Sequence, residues 1–259
     1  KNYSMSLTAE QIQQNRDIFF KNIEDHIASP RKKILTEFYE SIEDHLILAP
    51  ASTRDSYHNC LPGGYIDHVN RVVKASLELA EVWSGYSELN FTQEELIFSA
   101  INHDLGKLGL DGKPGVIPND NDWQIKNQGT LYKINTELPF STVPDRSLFI
   151  LQSIGLVISQ NEYLGIKLHD GLYDESNKAY LISYQPEARL RTSLPLILHQ
   201  ADMLAARVEW ESVWIPKLSS PTTSKPAPAR KFTSVDAKKE TMAKIGKANP
   251  GLASILKNI

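Results

Sequence analysis

A single cysteine, Cys60, is all that the 259 residues contain. An intrachain disulfide is therefore excluded, and so sparing a use of thiols fits a reducing compartment. Long apolar runs are missing as well: no stretch of eighteen apolar residues occurs, so no membrane-spanning helix is expected. The N-terminal stretch is polar and then amphipathic, without a signal-peptide pattern. No internal repeat is visible, and neither a Walker loop nor a dinucleotide fingerprint occurs. A surplus of one charge is lacking too. Lys and Arg number 28 against 31 Asp and Glu, a net charge of −3 that gives no global pull towards nucleic acid. What is there is ordinary for a folded chain, with 41% hydrophobic and 23% charged residues. The length suffices for one large core, or for one domain plus an appendage.

Helical periodicity dominates the N-terminal half. Residues 8–27 read as a helix opened by a Thr8/Gln11 capping box, with Ile12, Ile18, Phe19, Ile23 and Ile27 largely on one side. Ser29-Pro30 caps a second helix predicted over 31–48, carrying Ile34, Leu35, Phe38, Ile42 and Leu46. His26 and His45 on these helices read as structural or surface residues. Residues 49–64 are rich in turn formers and lead into a long helix over 65–83. A Thr92/Glu95 capping box then opens a helix ending at Asn102-His103-Asp104-Leu105-Gly106-Lys107. Gly106 there either ends the helix or lets the backbone approach a ligand.

Beyond Lys107 the pattern changes. Residues 123–134 suggest a small β-hairpin, the one convincing strand signal of the chain. Further helices are predicted from Pro144 to Ile154, from Ser159 to His169-Asp170-Gly171, and from 185–187 to Trp210, the last kinked at Pro195. Residues 218–259 are rich in Pro, Ser, Thr and Lys and read as a solvated linker and disordered tail. Their lysines suit that tail to tether a protein partner or nucleic acid. The expected organisation is thus N-terminal helices over 1–50 packed on a core over 51–217, followed by the tail.

The chemistry-bearing residues fall at the ends of these elements. Five of the seven histidines, His58, His68, His103, His169 and His199, sit in loops or beside turns. His103-Asp104 and His169-Asp170 are adjacent pairs, and His199 and Asp202 share a helix face at a spacing of three. Lys107 falls on the face of His103 and Asp104. Imidazoles and carboxylates from separate segments, aimed at one point, suit a divalent metal such as Mn, Fe, Co, Ni or Zn. Mg would prefer oxygens alone.

In the order His68, His103-Asp104, Asp202, the chain resembles the HD-domain metal-dependent phosphohydrolases. Gly63-Gly64-Tyr65-Ile66-Asp67-His68 is similar to the entry of the first histidine helix in the HD domains of certain 3′-to-5′ exoribonucleases and relaxase-associated proteins. His103-Asp104-Leu105-Gly106-Lys107 is close to the common His-Asp-Ile-Gly-Lys form. His199-Gln200-Ala201-Asp202-Met203 and Leu168-His169-Asp170-Gly171 resemble segments of bacterial and phage HD hydrolases. The resemblance spans residues 52–211.

That resemblance implies an all-α, HD-domain-like helical core, with the hairpin as an insertion over the site. His68, His103, Asp104 and Asp202 would surround one metal; His169 and His199 match the positions that hold a second ion in some relatives, with Asp104 bridging. One or two divalent ions are therefore expected. Some relatives carry paired histidines where this chain has Tyr57-His58-Asn59-Cys60, a departure that assigns His58 to substrate contact. A divalent ion lowers the pKa of bound water to about 7 and so supplies a nucleophile for phosphorus. Lys107 would neutralise charge on the phosphoryl oxygens, with Arg54, Arg146 and Arg207 as candidate phosphate clamps. The implied activity is hydrolysis of a phosphoester in a nucleotide or a single-stranded nucleic-acid 3′ end, in the cytoplasm of a bacterial or phage-infected cell. Two alternatives stand beside it: a catalytically idle HD module that binds a nucleotide or a protein partner, and a di-iron HD oxygenase. The intact ligand set argues against the first, and Lys107 favours phosphate chemistry over the second.

Overall fold

The computed structural model describes residues 7–211, and the expected linker and tail over 218–259 lie outside them. The described chain is an all-α bundle with one small antiparallel hairpin. Three of the helices begin as their capping boxes predict: α1 (Ala9–His26) on Thr8, α5 (Gln93–Asn102) on Thr92 and α8 (Gln160–Leu168) on Ser159. In each, the cap hydroxyl accepts from an N–H of the first turn while the acid or amide three residues on reaches back, so two otherwise orphaned donors are satisfied.

The core runs along α4 (Gly64–Ser84), against which α1, α5 and α10 (Leu194–Glu209) pack. The N-terminal helices are part of that core. Phe19 and Ile23 from α1, Leu35 and Tyr39 from α2 (Arg31–Ser41), and Leu46 from α3 (Glu43–Leu48) are fully buried with Tyr65, Val69, Phe98 and Ile101. No described helix is long and apolar enough to cross a membrane.

Three expected boundaries differ. The helix predicted over 31–48 breaks at Ile42 into α2 and α3. Ser41 there turns its hydroxyl back onto the Phe38 carbonyl at 2.6 Å, a local bond that competes with helix continuation. The hairpin exists, but its strands are β1 (Val116–Pro118) and β2 (Tyr132–Ile134), paired Val116 to Ile134. Between them 122–128 form α6 (Asp122–Gln128), because Asn121 caps the Gln124 N–H and Gly129 closes the far end. Apolar residues alternating over so short a span do not distinguish strand from helix; the cap does. Finally, the last helix starts at Leu194, with Pro195 in its first turn, where a missing N–H costs nothing, and not as a kink within a longer helix.

The insertion is tied to the loop before α4. Tyr132 N–H donates to the Thr53 carbonyl at 3.1 Å and Asp55 N–H to Gly129 at 2.9 Å, with Arg54 bridged to Thr130. Residues 51–55 and the hairpin thus form one wall beside the ends of α5, α8 and α10.

Candidate metal centre

Four helices deliver five ligand-type side chains to one buried point. His68 comes from the first turns of α4, His103 and Asp104 from the end of α5, His169 from the end of α8, and Asp202 from α10. Nε2 of His68 lies 3.1 Å from Asp202 Oδ1 and 3.7 Å from Asp104 Oδ2. Nε2 of His103 is 3.4 Å from Asp104 Oδ2, and Nε2 of His169 is 3.5 Å from Asp104 Oδ1. One oxygen of Asp104 therefore faces His68 and His103, and the other faces His169. Among the described residues, two groups could hold a metal ion, His68 with His103 and Asp104, and His103 with His169 and Asp202; within each, the ligand atoms lie within 4.8 Å of one another.

The backbone fixes which nitrogen is offered. Nδ1 of His103 sits 2.8 Å from the Ala100 carbonyl, and Nδ1 of His169 sits 2.8 Å from that of Ile166. A carbonyl only accepts, so each Nδ1 carries a proton, and Nε2 is the nitrogen turned towards the cluster, where a metal ion would take the place of any proton it holds. Such a carbonyl partner is the usual support of a metal-ligating histidine. Nε2 of His103 and both ring nitrogens of His68 are buried without a hydrogen bond. Unmatched buried nitrogens beside carboxylates fit a cation.

The electrostatics agree. Burial opposes charge on His169, yet its hydrogen bond to Asp104 and the carboxylates of Asp170, Asp104 and Asp202 push its pKa up to about 9. Burial likewise works against ionisation of Asp104, but Lys107 and His103 hold its carboxyl well below the ordinary range. Burial works against ionisation of Asp202 as well, yet His68, with His103 and His169, lowers its carboxyl. The cluster attracts positive charge.

Around it, the turn from His103 to Lys107 is held by α7 (Val143–Ser153). The Ser147 hydroxyl accepts from Gly106 N–H at 2.8 Å and lies 3.1 Å from the His103 carbonyl. Gly106 serves this packing and not a ligand, since a Cβ there would come within 2.3 Å of the Val143 carbonyl. Lys107 Nζ lies 2.5 Å from Asp104 Oδ2.

Other expected residues are placed differently. His199 lies outside both ligand groups: its Nδ1 is 2.7 Å from the His169 carbonyl and its ring lies over Gly171. Gly171, at a φ of +56°, has no room for a Cβ beside that ring. Arg146 is buried and donates to the carbonyls of Gly106 and Pro139 at 3.1 Å, so it holds the turn in place and does not clamp a ligand. Arg54 is exposed and lies over the Tyr57 ring at 5.8 Å. The His58 ring centroid lies 4.7 Å from that of His68, the two planes tilted by 43°, and burial, followed by the neighbouring His68 and Lys107, holds its pKa down at about 3.

A cavity of about 930 Å³ opens beside the cluster, and its lining includes His58, Lys107, Asp170, His199, Asp202 and Arg207. Asp170 was picked out from the sequence only as the neighbour of His169, and Ser147 was not picked out at all; nothing local signalled Ser147, whose partners in the turn, Gly106 and His103, are 41 and 44 residues away.

Fold and site together define an all-α protein with a buried His/Asp cluster able to hold a metal ion. No family model, curated protein or solved structure matches the chain.

Proposed function

We propose that this protein is an HD-type metal-dependent phosphohydrolase that cleaves a phosphoester of a nucleotide or a nucleic-acid end. The observation that carries this reading is the meeting of His68, His103, Asp104, His169 and Asp202 beside a ligand-sized cavity, with Lys107 against Asp104. His68, His103, Asp104 and Asp202 would hold one ion. His169, whose Nε2 faces the second oxygen of Asp104, is the residue through which a second ion would be shared. The mixed nitrogen and oxygen donors suit Mn, Fe, Co, Ni or Zn over Mg. When bound, such an ion supplies Lewis acidity, activating water near neutral pH and drawing charge from phosphoryl oxygens.

The chain's own groups do the rest. Asp104 orients both histidine sets through its two oxygens. Lys107 brings an ammonium to the cavity, where it can balance charge gathering on a phosphate. His199, fixed through Nδ1, and Asp170 both line the same space and contact substrate in this reading. The carbonyl bonds from His103 and His169 keep the rings from rotating away, a form of preorganisation.

Metal analysis of the purified protein, combined with turnover of a generic phosphodiester, tests the reading. Bound metal and hydrolysis that disappear together in Asp104→Ala are expected. A fully active Asp104→Ala protein overturns it. Bound metal without turnover on dNTPs, cyclic dinucleotides or short oligonucleotides would instead favour a binding module.

A further inference from the structure

Arg146 is buried, yet it forms no ion pair among the described residues. A guanidinium stripped of water without a carboxylate beside it is costly, and an apolar side chain would fill the same space more cheaply. What the guanidinium adds is its planar fork, whose donors hold two acceptors in fixed geometry. Nη1 donates to the Gly106 carbonyl, in the turn between Asp104 and Lys107, at 3.1 Å. Nη2 donates to the Pro139 carbonyl, just beyond the end of β2, also at 3.1 Å.

The other foot of the hairpin reaches the same turn by close packing. Gly115 leads into β1, and a Cβ on it would come within 2.3 Å of the Lys107 carbonyl. Asn135, buried directly after β2, closes this foot. Its N–H donates to the Gly115 carbonyl and its Nδ2 to the Pro114 carbonyl, each at 3.0 Å. Both ends of the insertion are thus fastened to Gly106-Lys107, and its strands contribute Val116 and Ile134 to the cavity wall.

Resting on the proposed metal centre, we propose that Arg146 is a positioning residue. It joins the hairpin to the turn bearing Asp104 and Lys107, so that the two shift together and whatever seats against the hairpin is registered at the centre. Filling the interior would need neither carbonyl. The link runs both ways, since coupling between two sites is reciprocal.

Hydrogen exchange of the chelator-treated full-length chain tests the link without metal or turnover. Asn135→Ala opens the hairpin foot without touching the turn. Arg146→Lys keeps the charge but cannot span two carbonyls. Each should speed exchange about tenfold at Gly106 and Lys107, the loss of about one buried hydrogen bond. In wild type these two N–H groups are bonded to Ser147 and Asp104. Exchange in α1 should stay as it was. Lys133→Ala removes only an exposed pair with Asp120 and should leave the turn unchanged. The proposal is overturned if Asn135→Ala loosens the hairpin but not the turn, if Arg146→Lys behaves as wild type, or if α1 loosens as much as the turn. Should Arg146→Lys fail to fold, Asn135→Ala decides alone, because Asn135 lies outside the helical core.

Manganese titration of the same proteins gives a second readout. Affinity should fall about tenfold in each single variant, as when the support of a metal ligand is lost. The double variant should lose no more than the weaker-binding single one, because both cut the same link. Losses that multiply would mean two separate effects and would overturn it. A wild-type chain that binds no manganese sinks the metal centre, while hydrogen exchange still decides the link. Manganese binding without phosphodiester turnover sinks the hydrolase alone.

Discussion

Two polar clusters among the described residues, one partly buried and one buried, are built on opposite terms. One joins α2 to α5 and α8: the Arg31 guanidinium reaches Glu94 at 3.2 Å and Glu162 at 2.7 Å and lies 4.0 Å from the centroid of the Phe98 ring. Glu162 is fully buried and also accepts the Ser159 N–H at 2.7 Å. Of that cluster only Nε of Arg31 lacks a partner. The other is the histidine and aspartate cluster, in which Nε2 of His68 and of His103 are buried and unmatched although carboxylates stand within 4 Å. A pair that serves the fold closes its hydrogen bonds, because each open one costs stability. A cluster that keeps them open, with Nδ1 of His103 and of His169 tied to carbonyls, is shaped for something that arrives later.

The comparison breaks most sharply at Asp104. Replacing it with alanine is expected to abolish metal uptake and metal-dependent hydrolysis while leaving helical content near normal, as metal analysis, turnover and circular dichroism would show together. Normal metal content in that variant would make the two clusters equivalent. Arg31→Met should do the reverse. It leaves Glu162 buried without its cation, costing about 3–5 kcal/mol in urea unfolding, yet metal stoichiometry should be unchanged.

Acidity sharpens the same contrast. Burial raises the Glu162 carboxyl, against the lowering effect of Ser159 and Arg31. A raised folded value means stability that is full below the unfolded value and lost as pH rises through the folded one. Without Arg31 the folded value rises further, so Arg31→Met should fall closest to wild type near pH 5 and farthest from it above neutrality.

Next in size is the response to added metal. A divalent ion at a hundredfold its dissociation constant should stabilise wild type by about 2.7 kcal/mol. Arg31→Met should keep that gain and Asp104→Ala should lose it, read as thermal midpoints with and without chelator.

A last effect concerns His169 in the chelator-treated protein. Its folded pKa of about 9 stands above the ordinary 6.5. Its contribution is therefore present in full below 6.5 and lost as pH climbs through about 9. The thermal midpoint should drift down across that window, and His169→Gln should flatten the drift. A slope equal in both proteins would remove His169 from the cation-attracting cluster.

Much of this was legible before the structure, and the parts that were not share a cause. The capping boxes at Thr8, Thr92 and Ser159 depend on residues three apart, so the chain alone specified where α1, α5 and α8 begin. The positions of His103 and His169 at helix ends, each beside an aspartate, were equally local. What lay beyond reach was any choice between partners distant in the chain. Arg146 carries the charge of a phosphate clamp, and only the packing of α7 against the Gly106 turn commits it to backbone carbonyls. His199 shares a helix face with Asp202, yet the carbonyl of His169 and the bare surface of Gly171 hold its ring outside the ligand groups. The strand pairing Val116 to Ile134 spans a helix that the hydrophobic pattern did not reveal.

By itself, then, the sequence determined the helical periods, the caps and the inventory of imidazoles and carboxylates, because those are set within a turn or two of backbone. Tertiary structure decided which of them meet. His68, His103 with Asp104, His169 and Asp202 come from four helices, and their convergence follows from α4 burying its apolar face against α5 and α10 while α8 packs on the same pair. Burial then strips water from the ring nitrogens and gives the carboxylates their hold on positive charge, which no single segment possesses alone.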